Sequence, residues 1–241
     1  MITIKKAITF LILLILVAVA IFSAVKIKTY ADDMNENNSI LSEISDIVDQ
    51  EDNFKGEEKS LDAASLREIN PDTVGYLTVN GTDIKYPVVQ GKDNDYYLSH
   101  NFKKDNNRAG WIFADYRNKF DGTDKNIVIY GHNMKNGSMF SSLKNVLTTN
   151  WQDKEENMYI VFIAENAVST YKVFSVYYIE AEDYYTTTAF NDKSFQSFVD
   201  KIKARSNKNF NVDVKSKDQI LTLSTCADDD RYRIVVHAVK L

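Results

Sequence analysis

The residues best suited to chemistry gather near the C-terminus. The run Thr222-Leu223-Ser224-Thr225-Cys226 carries the only cysteine among 241 residues, at the end of an apolar, β-rich stretch. With no second cysteine there is no internal disulfide, so Cys226 is either a small core residue or a nucleophile. A cysteine nucleophile needs a proton acceptor and a donor that stabilises an oxyanion. Three histidines are available. His132 follows Asn126-Ile127-Val128-Ile129-Tyr130-Gly131, where a buried strand breaks into a loop and Gly131 permits a tight backbone. His100 lies in the polar segment Leu98-Ser99-His100-Asn101 and reads as a solvated loop residue. His237 sits in mid-strand and reads as a packed or barrel-facing side chain. Position favours His132.

Two arginines follow the cysteine, after the polar connection Ala227-Asp228-Asp229-Asp230. Arginine keeps its proton in proteins, so Arg231 or Arg233 has an electrostatic role. Pairing with the aspartate run is the alternative for either. Arg233 opens the last strand, which can lie beside the strand ending at Cys226. Each signal is weak alone, since a lone strand cysteine is more often core. One cysteine ending a strand, one histidine ending another and an arginine opening the next make a stronger set.

The elements that must position these residues are mostly strands. Val74–Val79 and Ile84–Val89 flank Asn80-Gly81, a tight-turn signal. Trp111–Ala114, Asn126–Tyr130, Met158–Ala164, Ser169–Ile179, Gln219–Thr225 and Arg233–Val239 complete about eight, with a hairpin expected across Glu165-Asn166-Ala167. Few helices separate them, as in a closed or nearly closed barrel. Met139–Leu147 reads as a short helix. Asp192–Ala204 reads as a longer one, with Phe195, Phe198, Val199 and Ile202 on one face. Upstream, Ile40, Ile44, Ile47 and Val48 have helical spacing, so a helix is expected over Ser39–Gln50 with Ser39 as N-cap. A second is expected over Ser60–Ile69, ended by Asn70-Pro71.

Ala7–Val25 is apolar throughout, with Lys5 and Lys6 before it and Lys26 and Lys28 after. As a helix it spans about 28 Å, close to a bilayer core. It is longer than the apolar region of a signal peptide, roughly 7–15 residues, although Ala18-Val19-Ala20 resembles a cleavage site. The reading is an uncleaved anchor with a short cytoplasmic tail, residues 1–6, and everything after it outside the cell. Removing those four lysines from the formal charge of −5 leaves about −9 on the remainder. A domain so acidic argues against a nucleic-acid surface. Residues 26–70 are expected to form a linker and N-terminal helices, and 71–241 the barrel. No Cys/His cluster suggests a metal, and no cofactor is expected.

These residues resemble a family. Thr222-Leu223-Ser224-Thr225-Cys226 followed by Arg233 is similar to the signature of sortases, the cysteine transpeptidases of Gram-positive cell surfaces. Tyr130-Gly131-His132-Asn133-Met134 resembles the family's histidine motif. Tyr86-Pro87-Val88-Val89-Gln90, Asp93-Asn94-Asp95-Tyr96-Tyr97-Leu98 and Ala114-Asp115-Tyr116-Arg117-Asn118 resemble class B segments. Asp192–Ala204 resembles the helical insertion that class B carries between strands six and seven. The likeness spans roughly Ser39 to Leu241.

The resemblance implies an eight-stranded sortase-type β-barrel, with Cys226 as nucleophile, His132 as general acid or base and Arg233 as stabiliser of oxyanion or substrate. Asn94, Leu98, Ser224 and Thr225 match positions lining the substrate groove. Arg231 shares a strand face with Arg233, but Arg233-Ile234-Val235-Val236-His237 resembles the family's terminal strand directly after its arginine, which favours Arg233. The implied reaction is cleavage after Thr in the C-terminal sorting signal of a secreted protein, then transfer to an amine of a peptidoglycan precursor or cross-bridge. No calcium or other cofactor is implied. A hydrolytic cysteine peptidase and a non-catalytic anchored binding module are the alternatives.

Overall fold

A computed structural model of the chain describes residues 2–55, 63–164, 167–226 and 231–241. Strand β1 (Thr73–Val79) buries every second residue, as a pleated strand with one face on a core must. It is followed by β2 (Lys85–Val89), β3 (Phe113–Ala114), β4 (Asn126–Tyr130), β5 (Tyr159–Ala164), β6 (Ala167–Glu180), β7 (Ile220–Cys226) and β8 (Tyr232–Lys240). They close into a barrel in the order β1-β2-β3-β4-β7-β8-β6-β5. Closure leaves no sheet edge to be guarded. The β1–β2 connection is longer than a two-residue turn: the Val79 amide donates to the Ile84 carbonyl, and Gly81 takes a left-handed φ of 69°.

Two pairings are parallel, β2 with β3 and β4 with β7. The second matters for function. With Tyr130 opposite Ser224, the C-terminal ends of β4 and β7 reach the same rim of the barrel. The antiparallel β8 begins at that rim, with Arg233 opposite Cys226. The topology therefore gathers residues about 100 positions apart in sequence at one end of the barrel.

The barrel interior is filled by residues such as Leu77, Val88, Trp111, Ile129, Leu223 and Val236, all fully buried. A second core lies between the outer faces of β6, β7 and β8 and helix α4 (Asp192–Arg205), through Phe174, Phe195, Val199, Ile202 and Val235. That helix lies between β6 and β7 in the chain and buries the face expected of it. Asn191 and Ser194 form a reciprocal capping box at its start. The expected helix over Met139–Leu147 is a tighter 3₁₀ helix over Ser141–Leu147. One short turn, α3 (Thr149–Gln152), follows it.

The N-terminal helix differs from expectation. Instead of a separate helix capped at Ser39, α1 runs unbroken from Ile2 to Lys55 and includes the apolar Ala7–Val25 stretch. No glycine or proline occurs between those residues, so nothing interrupts the helical hydrogen bonds, and Ser39 lies in mid-helix. Met34, Asn37, Ile40 and Ile44 form a buried stripe against the barrel. Asn107 fastens the same segment, donating to the Asp33 carbonyl and Glu36 Oε2 and accepting from Asn37 Nδ2. Helix α2 (Ala63–Ile69) ends where expected, at Asn70-Pro71; residues 60–62 of the expected helix lie outside the described ones. Among the described residues, α1 is the one helix long and apolar enough to cross a membrane, by length and composition.

Candidate active site

At the shared rim of β4, β7 and β8 lies a cleft of about 900 Å³. His132, Arg233, Ser224, Thr225, Asn94 and Leu98 all line it. Cys226 ends β7 beside them, its backbone paired with that of Arg233; its side chain lies outside what is described. The connection 227–230 also lies outside the described residues.

His132 follows β4 directly. Its Nε2 lies 2.9 Å from the Leu98 carbonyl oxygen. A carbonyl only accepts, so Nε2 donates and Nδ1 is the basic nitrogen of the neutral ring. The preceding Gly131 serves space rather than dihedral freedom: a Cβ there would collide with Ile112 Cδ1 and Phe140 Cγ. Arg233 donates through Nη1 to the Tyr232 carbonyl at 2.9 Å. Arg231 lies outside the cleft lining, with its guanidinium 5.8 Å from the Tyr232 ring centre. His100 is remote in role: it stacks on Tyr96 at 4.0 Å, with Nδ1 2.7 Å from the Tyr96 carbonyl oxygen.

His237 is the packed histidine of the two readings left open. It is fully buried in the second core, among Phe174, Tyr177 and Phe198. Burial holds its pKa down at about 3, so the ring is neutral. Its tautomer follows from its neighbours. Asn126 Nδ2 faces the carbonyl oxygens of Tyr185 and Thr187 at 3.3 and 2.9 Å, which leaves Oδ1 to accept from the Thr222 hydroxyl at 2.6 Å. Having spent its proton, Thr222 accepts from His237 Nδ1 at 2.8 Å, and His237 Nε2 accepts from the Tyr177 hydroxyl at 2.7 Å. Tyr177 in turn accepts from Tyr184 at 3.2 Å. The chain of donors starts at Tyr184 and returns to Tyr185 and Thr187, on the same cleft wall.

A second polar cluster went unrecognised as such in the sequence. Asp115 is completely buried at the cleft edge, and Arg117 grips it with Nε and Nη2 at 2.8 and 2.7 Å. The Arg117 amide, the Tyr130 hydroxyl and Asn94 Nδ2 also donate to Asp115. The Arg117 guanidinium and these donors hold the Asp115 carboxyl below its usual pKa despite its burial. Asn94 is thereby oriented from both ends, since its Oδ1 accepts from the Tyr116 amide. The signal available beforehand was Asp115-Tyr116-Arg117, two opposite charges two residues apart within a quoted motif. Nothing in the sequence marked Tyr184–Thr187 as a cleft wall.

A cysteine at the end of a strand, a histidine after its parallel neighbour and an arginine opening its antiparallel one, all around a cleft, suit acyl transfer. Residues 77–241 match the model of the sortase domain. The chain belongs to the sortase family, in class B. This sortase is 39% identical to sortase B of Listeria monocytogenes over 226 residues, covering 91% of this chain and 89% of the relative. Its identity to sortase B of Staphylococcus aureus is 34% over 242 residues, covering 97% and 96%. Among solved structures, a Bacillus anthracis protein similar to sortase B superposes with a TM-score of 0.76 at 38% identity, covering 86% of this chain and 96% of that one. A sortase B complexed with triglycine superposes with a TM-score of 0.78 at 32% identity, covering 86% and 98%. The closed mixed barrel of this sortase is the fold those relatives share. It is a cysteine transpeptidase of the cell-wall sorting type.

Proposed function

We propose that Cys226 is the nucleophile, His132 the general acid and base, and Arg233 the oxyanion donor of a sorting reaction that cleaves after Thr. His132 takes the proton of the Cys226 thiol, and the thiolate attacks the Thr carbonyl carbon of a C-terminal sorting signal. Arg233 stabilises the oxyanion that forms. The tetrahedral intermediate collapses with cleavage of the C–N bond, the leaving amine takes a proton from His132, and a thioester remains. An incoming amine attacks that thioester and gives its proton to His132, the thiolate leaves, and a new amide joins the secreted protein to peptidoglycan. One amide is exchanged for another. Ser224, Thr225, Asn94 and Leu98 then border the bound peptide; the buried Thr225 hydroxyl has no partner among the described residues and is suited to a polar group of the substrate.

The observation that carries this reading is one cleft at the ends of β4, β7 and β8 lined by His132 and Arg233 beside the end of the Cys226 strand. The sortase B complexed with triglycine supports a short glycine peptide as the class of acceptor amine. The apolar Ala7–Val25 portion of α1 supports a single-pass anchor, N-terminus inside and barrel outside, which would hold the enzyme beside exported substrates and the wall. The test uses the full chain in detergent, a pool of Thr–X peptides and a triglycine acceptor, read by mass spectrometry. An amide-linked product and a trapped thioester are expected from the wild type, and neither from Cys226→Ala. His132→Ala should be slower by about 10²–10⁴-fold. Product from Cys226→Ala would reject the assignment, and free acid alone from the wild type would favour the hydrolytic reading.

A further inference from the structure

The cleft wall beside β7 is not part of the sheet. Tyr184–Thr186 forms a single 3₁₀ turn between β6 and α4, with Thr187 as its C-cap. Its main chain therefore lacks ladder partners, yet three successive carbonyls are each met by a side chain from elsewhere. Asn126, the first residue of β4, donates to Tyr185 and Thr187 at 3.3 and 2.9 Å. Arg117 donates through Nη2 to Thr186 at 2.9 Å while the same guanidinium is locked on buried Asp115. The Tyr185 and Ser224 hydroxyl oxygens lie 3.3 Å apart, tying the wall to β7 two residues before Cys226.

Asn126 has no donor left over. Both its amide protons go to the wall, and its oxygen accepts from Thr222. A buried amide so fully matched tolerates little displacement, because any shift leaves a polar group unpaired. Arg117 joins the wall to the loop that also carries Asn94 through Asp115. The two side chains thus tie the wall to β4 and to the segment that holds Asn94.

We propose that Arg117 and Asn126 are positioning residues for the acyl-donor peptide, clamping the Tyr184–Thr187 wall at a fixed separation from β7 and thereby setting peptide affinity. The proposal rests on the cleft being the peptide site, as argued above. Neither side chain takes part in the bond changes. Loss of the clamp lets the wall move and weakens peptide binding, and it leaves the reactivity of the thiol unchanged.

Arg117→Gln is the decisive variant, because the side chain is 41% exposed and its replacement does not open the core. In the full chain in detergent, KM for a cleavable peptide should rise about tenfold, the effect of roughly one charge-assisted hydrogen bond. The kcat should stay within about twofold, and alkylation of Cys226 by iodoacetamide should keep its rate. Peptide affinity measured in a Cys226→Ala background, free of chemistry, should fall by the same factor. Arg117→Lys, which keeps one donor, should fall between. Asn126→Ala removes two wall contacts at once and should raise KM further; thermal unfolding of each variant shows whether the fold survives, and the Arg117 series stands without it. An unchanged KM and affinity in Arg117→Gln overturns the clamp, as does a fall in kcat or alkylation rate with KM unchanged. Turnover by Cys226→Ala alone would count against the catalytic assignment instead, so the two failures are distinguishable.

Discussion

The buried, neutral His237 makes a quantitative prediction about acid stability. In the unfolded chain a histidine titrates near 6.5, whereas burial holds this one at about 3. Between those values the unfolded chain binds a proton that the folded barrel does not, so stability rises with pH. The contribution is fully present above about pH 6.5 and is lost as pH falls toward 3. The slope for one proton is about 1.4 kcal/mol per pH unit, so roughly 2 kcal/mol is lost between pH 7.5 and 5, and about 5 kcal/mol is the ceiling at pH 3. His237→Gln removes the titration. Trp111 and Trp151 are the only tryptophans and both are buried in the barrel domain, so their fluorescence reports its urea unfolding in the full chain in detergent. Carboxylates such as Asp115 contribute equally to both proteins and cancel in the difference. Wild type should lose about 2 kcal/mol more than His237→Gln over that window. Parallel losses would refute the buried neutral histidine and the tautomer chain built on it.

Two further outcomes are expected. Arg233→Ala should lower the rate of peptide cleavage by about 10²–10³-fold, as for the loss of one oxyanion donor, while Arg231→Ala, outside the cleft lining, should change it little; the comparison is initial rates at matched folding, and the reverse result would mean that Arg231 is the stabiliser. A chain beginning at Thr29 should unfold at the same urea concentration as the full protein, whereas one beginning at Asp46 loses the buried Met34, Ile40 and Ile44, at about 1.5–3 kcal/mol each, and should unfold much earlier; equal midpoints would show that this stretch of α1 adds nothing to the domain.

Most of the strands were legible because their signal is local. Alternating or continuous apolar runs such as Asn126–Tyr130 and Gln219–Thr225 bury residues within a few positions of one another, and strand limits fell within about two residues. The helix at Asp192–Arg205 was legible for the same reason, from Phe195, Phe198, Val199 and Ile202 on one face. The start of α1 was not, because Ser39 looks like a cap from its residue type alone. Whether a helix stops there depends on the preceding turns, and these contain no breaker.

By itself the sequence determined which side chains were available for chemistry: one thiol, three imidazoles and two arginines near the last strand. It also determined, through motif likeness, the family to expect. Only the tertiary structure decided that β4 and β7 run parallel with their ends on one rim, that His237 turns into the outer core, and that Arg117 and Asn126 grip a wall some sixty to seventy residues downstream. Propensity and periodicity act over a few residues, so they set which segments become strands. Side-chain hydrogen bonds between segments sixty residues apart exist only after barrel closure has met the chain-entropy cost of bringing them together, and no local pattern encodes that event.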